Sequence, residues 1–126
     1  KINPHSSAIY NNMGMSFYLS GKYDLSTKAF LNAIKLQPNN KKIYNNHGMS
    51  LCKQGKYKDA IEAFNKGTDN AAAQNNIGYC YIAEKNYEKA MDAFSRAIEI
   101  RPNFYAKAFE NLKATKEAME SEKPLK

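Results

Sequence analysis

Residues 44–51 read YNNHGMSL, and the same pattern stands at 10–17 as YNNMGMSF and at 74–81 as QNNIGYCY. The three copies lie 34 and then 30 residues apart, anchored by Gly14, Gly48 and Gly78. Each copy is followed by a turn (SGKYD at 20–24, QGKYK at 54–58, EKNYE at 84–88) and by a second segment with its own recurrence: STKAFLNAI at 26–34, DAIEAFNKG at 59–67 and KAMDAFSRA at 89–97. Tyr23, Tyr57 and Tyr87 recur in the turns, and Phe30, Phe64 and Phe94 recur in the second segments. A period of this length belongs to a stack of supersecondary units rather than to a globule around one centre.

Both segments of each unit have helical periodicity. Tyr10, Met13, Gly14 and Phe17 follow the i, i+3, i+4, i+7 spacing, as do Tyr44, His47, Gly48 and Leu51, so each first helix is expected to bury that stripe. In the second helices one aromatic stands between two small residues on one face: Ser26, Phe30 and Ala33, then Ala60, Phe64 and Gly67, then Ala90, Phe94 and Ala97. Small residues let two helices approach while the Phe fills the space between them. Gly21 and Gly55 permit the reversal, and Pro38 and Pro102 stop the second helices of the first and third units.

On these residues the sequence resembles the tetratricopeptide repeat family, whose 34-residue unit is a helix, a turn and a helix. The resemblance implies an all-α fold, a right-handed α-solenoid of three helix-turn-helix units plus a C-terminal capping helix. The expected boundaries are an extension at 1–6, units at 7–40, 41–70 and 71–104, a capping helix at 105–119 and a frayed tail at 120–126. The first six residues are expected to fray as well. The middle unit departs from the pattern. After Gly67 it reads TDN where the others read IKLQPNN and IEIRPNF, so its second helix should be shorter by about one turn, with Asp69 or Asn70 capping the next helix. In the closing helix, Tyr105, Ala108, Phe109, Leu112 and Met119 are expected on the packed face; the alternative is the first helix of a fourth unit.

Stacked helix pairs of this kind bind partners along the surface lined by their first helices. With each unit numbered from one, the stripe pointing away from the core takes positions 2, 5, 6, 9 and 13. The binding residues drawn from it are Asn11, Asn12 and Met15, then Lys42, Asn45, Asn46, Met49 and Lys53, then Asn75, Asn76 and Tyr79. Fifteen of the 126 residues are Asn, and six of them are these pairs. An Asn amide offers a donor and an acceptor, which matches one peptide unit of an extended chain. Met on the same stripe gives an adaptable apolar surface. Against this stands a plainer reading, in which the Asn at position 5 only bonds a neighbouring helix. The family's clamp for a chaperone's C-terminal carboxylates needs Lys and Asn at positions 5 and 9 of the first unit, Asn at 6 of the second, and Lys and Arg at 2 and 6 of the third. Those places hold Asn11, Met15, Asn46, Ala72 and Asn76, so one of five matches and this mode is disfavoured.

The remaining composition narrows the function classes. Nineteen basic against 12 acidic residues give +7, spread over every segment except the third unit; 17 of the 19 are Lys. A dispersed Lys surface with only Arg96 and Arg101 for planar contacts does not point to nucleic acid. Lys42 and Lys53 are expected to put positive charge in the groove, favouring a mildly acidic peptide. His47 takes a core position and is read as structural, and His5 falls in the frayed start. Cys52 and Cys80 lack zinc-ligand spacing and are expected as buried free thiols, although their angles do not exclude a disulfide. No nucleophile-base set, phosphate loop or metal cluster is visible, so no enzyme activity, cofactor or metal is expected. No apolar run is long enough for a membrane span.

The expectation is therefore a non-catalytic module that binds a protein or peptide. The alternatives are a self-associating scaffold, forming a homo-oligomer, and an adaptor domain of a larger protein. The chain starts at Lys1 without Met, as a processed or trimmed chain would, so the compartment stays open between cytoplasm and bacterial periplasm or envelope. The short middle unit and the run from Asn75 to Leu112 resemble bacterial tetratricopeptide proteins of cell-envelope and pilus assembly, which implies a place in a bacterial assembly complex.

Overall fold

A computed structural model of the chain describes residues 4–102 and 106–122. Among the described residues there are seven α-helices: α1 (Pro4–Leu19), α2 (Tyr23–Leu36), α3 (Lys41–Lys53), α4 (Tyr57–Gly67), α5 (Asn70–Ala83), α6 (Tyr87–Ile100) and α7 (Ala106–Ser121). No described helix is long and apolar enough to cross a membrane. The expected all-α arrangement of three helix pairs and a closing helix is what the chain adopts. It falls into two compact units, residues 1–69 and 70–126.

The helix ends follow from local chemistry. Asp24, Asp59 and Glu88 lie in the first turns of α2, α4 and α6, where a carboxylate complements the exposed N–H groups. The Asn40 side chain accepts from Lys42 N at 3.2 Å and caps α3. The turns within the pairs are superposable in their bonding. Lys22 N donates to Phe17 O at 2.8 Å, Lys56 N to Leu51 O at 2.9 Å and Asn86 N to Tyr81 O at 2.9 Å. The bends place Gly21 and Gly55 at φ +76° and Lys85, the third member of the series, at φ +58°.

In the first unit, α1 pairs with α2, α3 with α4, and α2 packs on α3. Phe30 and Phe64 are fully buried, each in the gap opposite a glycine of the preceding helix. Ser26, which stands where the other second helices have Ala, is also buried; its hydroxyl donates to Gly14 O at 2.8 Å, which satisfies it inside the core. Phe30, Ala33 and Ile43 form one cluster, with Tyr10, Met15 and Ile34 against it. α4 has 11 residues against 14 in α2, and it ends at Gly67. Gly67 is tight because a Cβ there would meet Asn45 and the Lys41 carbonyl, so only glycine lets α3 come so near.

In the second unit, α5 pairs with α6 and α7 packs on α6. Phe94 fills the gap beside Gly78, as in the other pairs. The face of α7 is rotated from the one expected. Ala108 is buried as expected, but Phe109 is half exposed and Thr115 is buried; Thr115 Oγ1 donates to Asn111 O at 2.6 Å, which carries its hydroxyl into the interior at no cost in lost bonds. Tyr105 lies outside the described residues.

Three further expectations change. α1 begins at Pro4, so the segment expected to fray through residue 6 is helical from there. Met13, expected in the core stripe, is 41% exposed. Cys52 and Cys80 are both buried, as expected, yet neither is a free thiol. Burial reports the exclusion of water and not the redox state of sulfur.

Candidate functional site

The first-helix face of the first unit is built by α1 and α3. Asn46 Nδ2 donates to Asn11 Oδ1 at 3.1 Å, joining the position-6 amide of one repeat to the position-5 amide of the repeat before it. That bond uses one of the two N–H groups of Asn46 and leaves its carbonyl oxygen to accept. Asn12 is exposed one residue further round α1, and Asn46 and Met49 are half-buried on α3. Met15 is half-buried too, with part of its surface against the Phe30, Ala33 and Ile43 cluster, so it is floor and core at once.

Beside this amide pair lies a cleft of about 210 Å³ lined by Ser7, Ala8, Asn11, Gln37, Asn40, Lys42 and Ile43. Its polar groups are held in place. Asn40 Nδ2 donates to Gln37 Oε1 at 2.9 Å, and the buried Ser7 hydroxyl donates to Ala33 O at 3.2 Å. Ser7, Gln37 and Asn40 were not legible as site residues, since they belong to the unit's start and its inter-helix turn rather than to the repeated stripe.

Asn45 does not join the face. Its Nδ2 donates to Gly67 O at 3.3 Å, and its Oδ1 is buried with no partner. It ties α3 to the end of its own second helix. Lys53 is also displaced from the expected place. It borders a different cleft, of about 520 Å³, lined by Gly21, Lys22, Tyr23, Asp24, Leu25, Gln54 and Lys56 at the turn end of the unit. Lys42 and Lys53 stand in the first and last turns of α3, about 16 Å apart at 1.5 Å per residue, so the two charges serve separate clefts and not one groove centre.

In the second unit, Asn75 is buried and its Oδ1 accepts from Asn111 Nδ2 at 3.0 Å. The same Nδ2 donates to the Tyr79 hydroxyl at 2.9 Å. Asn75, expected to face a ligand, is thus a fastening for α7, and Tyr79 is half occupied by it. Asn76 remains half-buried beside them. Asn111 is the residue that sequence reasoning missed. Its signal is the position of an Asn among the packing residues of the last helix, where an amide costs free energy unless another amide meets it.

His47 sits on the other side of α3, in a groove of about 430 Å³ between α2 and α4. Burial pushes its pKa below the usual value; Asp59 opposes that shift and Lys66 adds to it. No group of three or more His, Cys, Asp or Glu among the described residues is placed to hold a metal ion.

Known proteins share this fold. Models of the tetratricopeptide repeat match residues 7–40, 29–62 and 71–104, together well over half of the chain. No curated protein matches it at the sequence level. Among solved structures, the second TPR domain of human RPAP3 in complex with the HSP70 peptide SGPTIEEVD is 21% identical with a TM-score of 0.62, covering 90% of this chain and 98% of that one. The TPR2B domain of yeast Sti1 in complex with an Hsp70 peptide is 19% identical with a TM-score of 0.63, over 90% and 98%. The Sgt2 TPR domain of Aspergillus fumigatus is 21% identical with a TM-score of 0.61, over 95% and 86%. At these identities the likeness is one of fold. With three repeat models on the chain and the helix pairs they describe in place, the chain belongs to the tetratricopeptide repeat family.

Proposed function

We propose that the chain is a non-catalytic protein-binding module that takes a partner peptide or helix on its first-helix face. The observation that carries this is the Asn11–Asn46 bond, which holds two amides rigid at a partly open seam beside a polar cleft. Amides fixed in this way bind backbone with little ordering cost on the protein side. RPAP3 and Sti1 domains of the same fold hold HSP70 peptides, which supports peptide binding as the kind of task involved.

The details differ from those neighbours. Of the five positions that the family's carboxylate clamp uses, only Asn46 matches here, and Asn11 Oδ1 accepts from that Asn46 amide. A terminal carboxylate therefore lacks its cationic seat, and the partner is an internal segment. Lys42 on the cleft favours a mildly acidic one. The finer reading, a place in a bacterial envelope assembly complex, rests on the resemblance of the short middle unit and of residues 75–112.

The test is an affinity pull-down from source cells with wild type and an Asn12→Ala, Asn46→Ala double variant in parallel. The double variant should keep its helicity and lose the partner. Equal recovery by both proteins overturns the reading, and the identity of the recovered partner decides the assembly role.

A further inference from the structure

The first two repeats present the same turn, SGKYD at 20–24 and QGKYK at 54–58, and the two turns border one cleft of about 520 Å³. Lys22 stands on the wall that opens α2, and Lys53 and Lys56 stand on the wall made by the end of α3 and the turn after it. Hydrogen bonds tie the walls together. The buried Ser50 hydroxyl donates to Tyr23 O at 3.2 Å, and Thr27 Oγ1 donates to Gln54 Oε1 at 2.9 Å. Gln54 Nε2 donates to Asp24 Oδ1, so the one carboxylate of the cleft is fixed in place.

The charges of this cleft are not balanced. Three lysines line it against Asp24 alone, and Lys22, Lys53 and Lys56 are exposed and form no ion pair among the described residues. The third turn, EKNYE at 84–88, has Asn86 in place of the recurring lysine and two glutamates, and its Lys85 pairs with Glu122 at 3.5 Å. The positive excess therefore belongs to the turn edge of the first unit. It is separate from the amide seam, since Lys53 lies at the opposite end of α3 from Lys42.

We infer that the turn-edge cleft is a second docking site, taken by an extended segment of a partner protein that carries carboxylates on successive residues. Neighbouring side chains of an extended chain point to opposite sides. One carboxylate then meets Lys22, and the next meets Lys53 and Lys56 on the other wall, a charge match of the kind that orients and selects a partner. Asp24 accepts a backbone N–H of the segment. A compact anion such as phosphate has no donor to offer there and would lie against that carboxylate. Leu25, 44% exposed on the same wall, receives an apolar residue of the segment.

The probe is an end-capped peptide, Glu-Glu-Leu-Glu-Glu, titrated at low ionic strength into the isotope-labelled full chain, with NMR amide shifts followed at Gly21, Tyr23 and Gln54. The expected result is saturable shifts at these residues, at least tenfold weaker in Lys22→Gln, Lys56→Gln and unchanged in the charge-matched Lys28→Gln, Lys35→Gln. All four lysines are exposed, so both variants should fold, and a circular dichroism melt checks this. Binding should also persist in Asn12→Ala, Asn46→Ala; its loss there assigns the peptide to the amide face and overturns this site. Absence of shifts at millimolar peptide, equal weakening by the two lysine pairs, or equal binding of the all-glutamine peptide overturns the inference as well. The same shifts from inorganic phosphate at equal concentration, or tighter binding of oligouridylate, overturn it in favour of a compact oxyanion or a nucleic acid.

Discussion

The ring of Phe64 occupies the space where a side chain on Gly48 would begin: a Cβ at Gly48 would lie 2.5 Å from Phe64 Cε1 and 2.6 Å from Cδ1. Gly48 is in mid-helix, where replacing glycine by alanine ordinarily stabilises by about 1 kcal/mol. Here the sign inverts. Gly48→Ala should destabilise by about 1 to 3 kcal/mol through overpacking, read from urea unfolding followed by circular dichroism. Gly48→Ala combined with Phe64→Leu should cost less than the sum of the two single changes, since the smaller residue vacates the clash. Additive costs would show that the two residues do not compete for this space.

The third turn carries a conformational cost that the first two avoid. Lys85 holds φ +58° where Gly21 and Gly55 hold +76° without a side chain, and its exposed ion pair with Glu122 at 3.5 Å offsets little. Relief of a left-handed non-glycine residue is worth about 1 to 2 kcal/mol, less the extra freedom glycine gives the unfolded chain. Lys85→Gly should raise stability by somewhat less than about 1 kcal/mol, and Gly55→Ala should lower it by about 1 kcal/mol. Thermal melts of the two variants should move in opposite directions.

The pH dependence of stability should carry the mark of His47. Its folded pKa lies below 6.5, chiefly through burial, so between the two values the unfolded chain binds more protons than the folded one. The neutral imidazole thus contributes fully above pH 6.5. Stability is lost as pH falls from there through the folded pKa, and the loss levels off below it. His47→Leu should remove that segment of the slope, so that the melting temperature of the wild type falls relative to that of the variant as pH is lowered from 7. A difference independent of pH would count against burial as the cause.

Asn111 joins α7 to α5 through two bonds from one amide, so its loss leaves the Oδ1 of buried Asn75 without a partner. Asn111→Ala should destabilise by about 1 to 3 kcal/mol, with faster amide hydrogen exchange concentrated in α7. Asn11→Ala should cost less, because the bond it breaks is half open to water.

The repeat architecture was legible because its determinants are periodic and local. Each glycine meets the Phe of its own helix pair; spacing placed both on the packing stripes of their helices, although it did not say that they touch. Positions whose surroundings depend on a neighbouring element were not legible. Met13 follows the core spacing of α1 but lies 41% exposed, a matter of which surface covers the helix and not of its own periodicity. The face of α7 was misread by ranking residues on apolarity, which favoured Phe109 over Thr115; a hydroxyl that bonds its own helix backbone is as easily buried as a methyl group. Among the site residues, identical spelling concealed different roles. Asn45 reaches across to its own second helix, Asn75 to the last helix and Asn11 to the next repeat, because each takes whichever carbonyl or amide lies opposite.

The bond between Asn46 and Asn11 has a genealogical consequence. Both halves come from a single Asn-Asn dipeptide spelled the same way in each repeat: the second amide of one copy meets the first amide of the copy before it. Tandem duplication of one such segment therefore creates donor and acceptor in the same event. The junction between α1 and α3 is bonded without a further substitution, whereas the first amide of the second copy, Asn45, has turned to Gly67 instead.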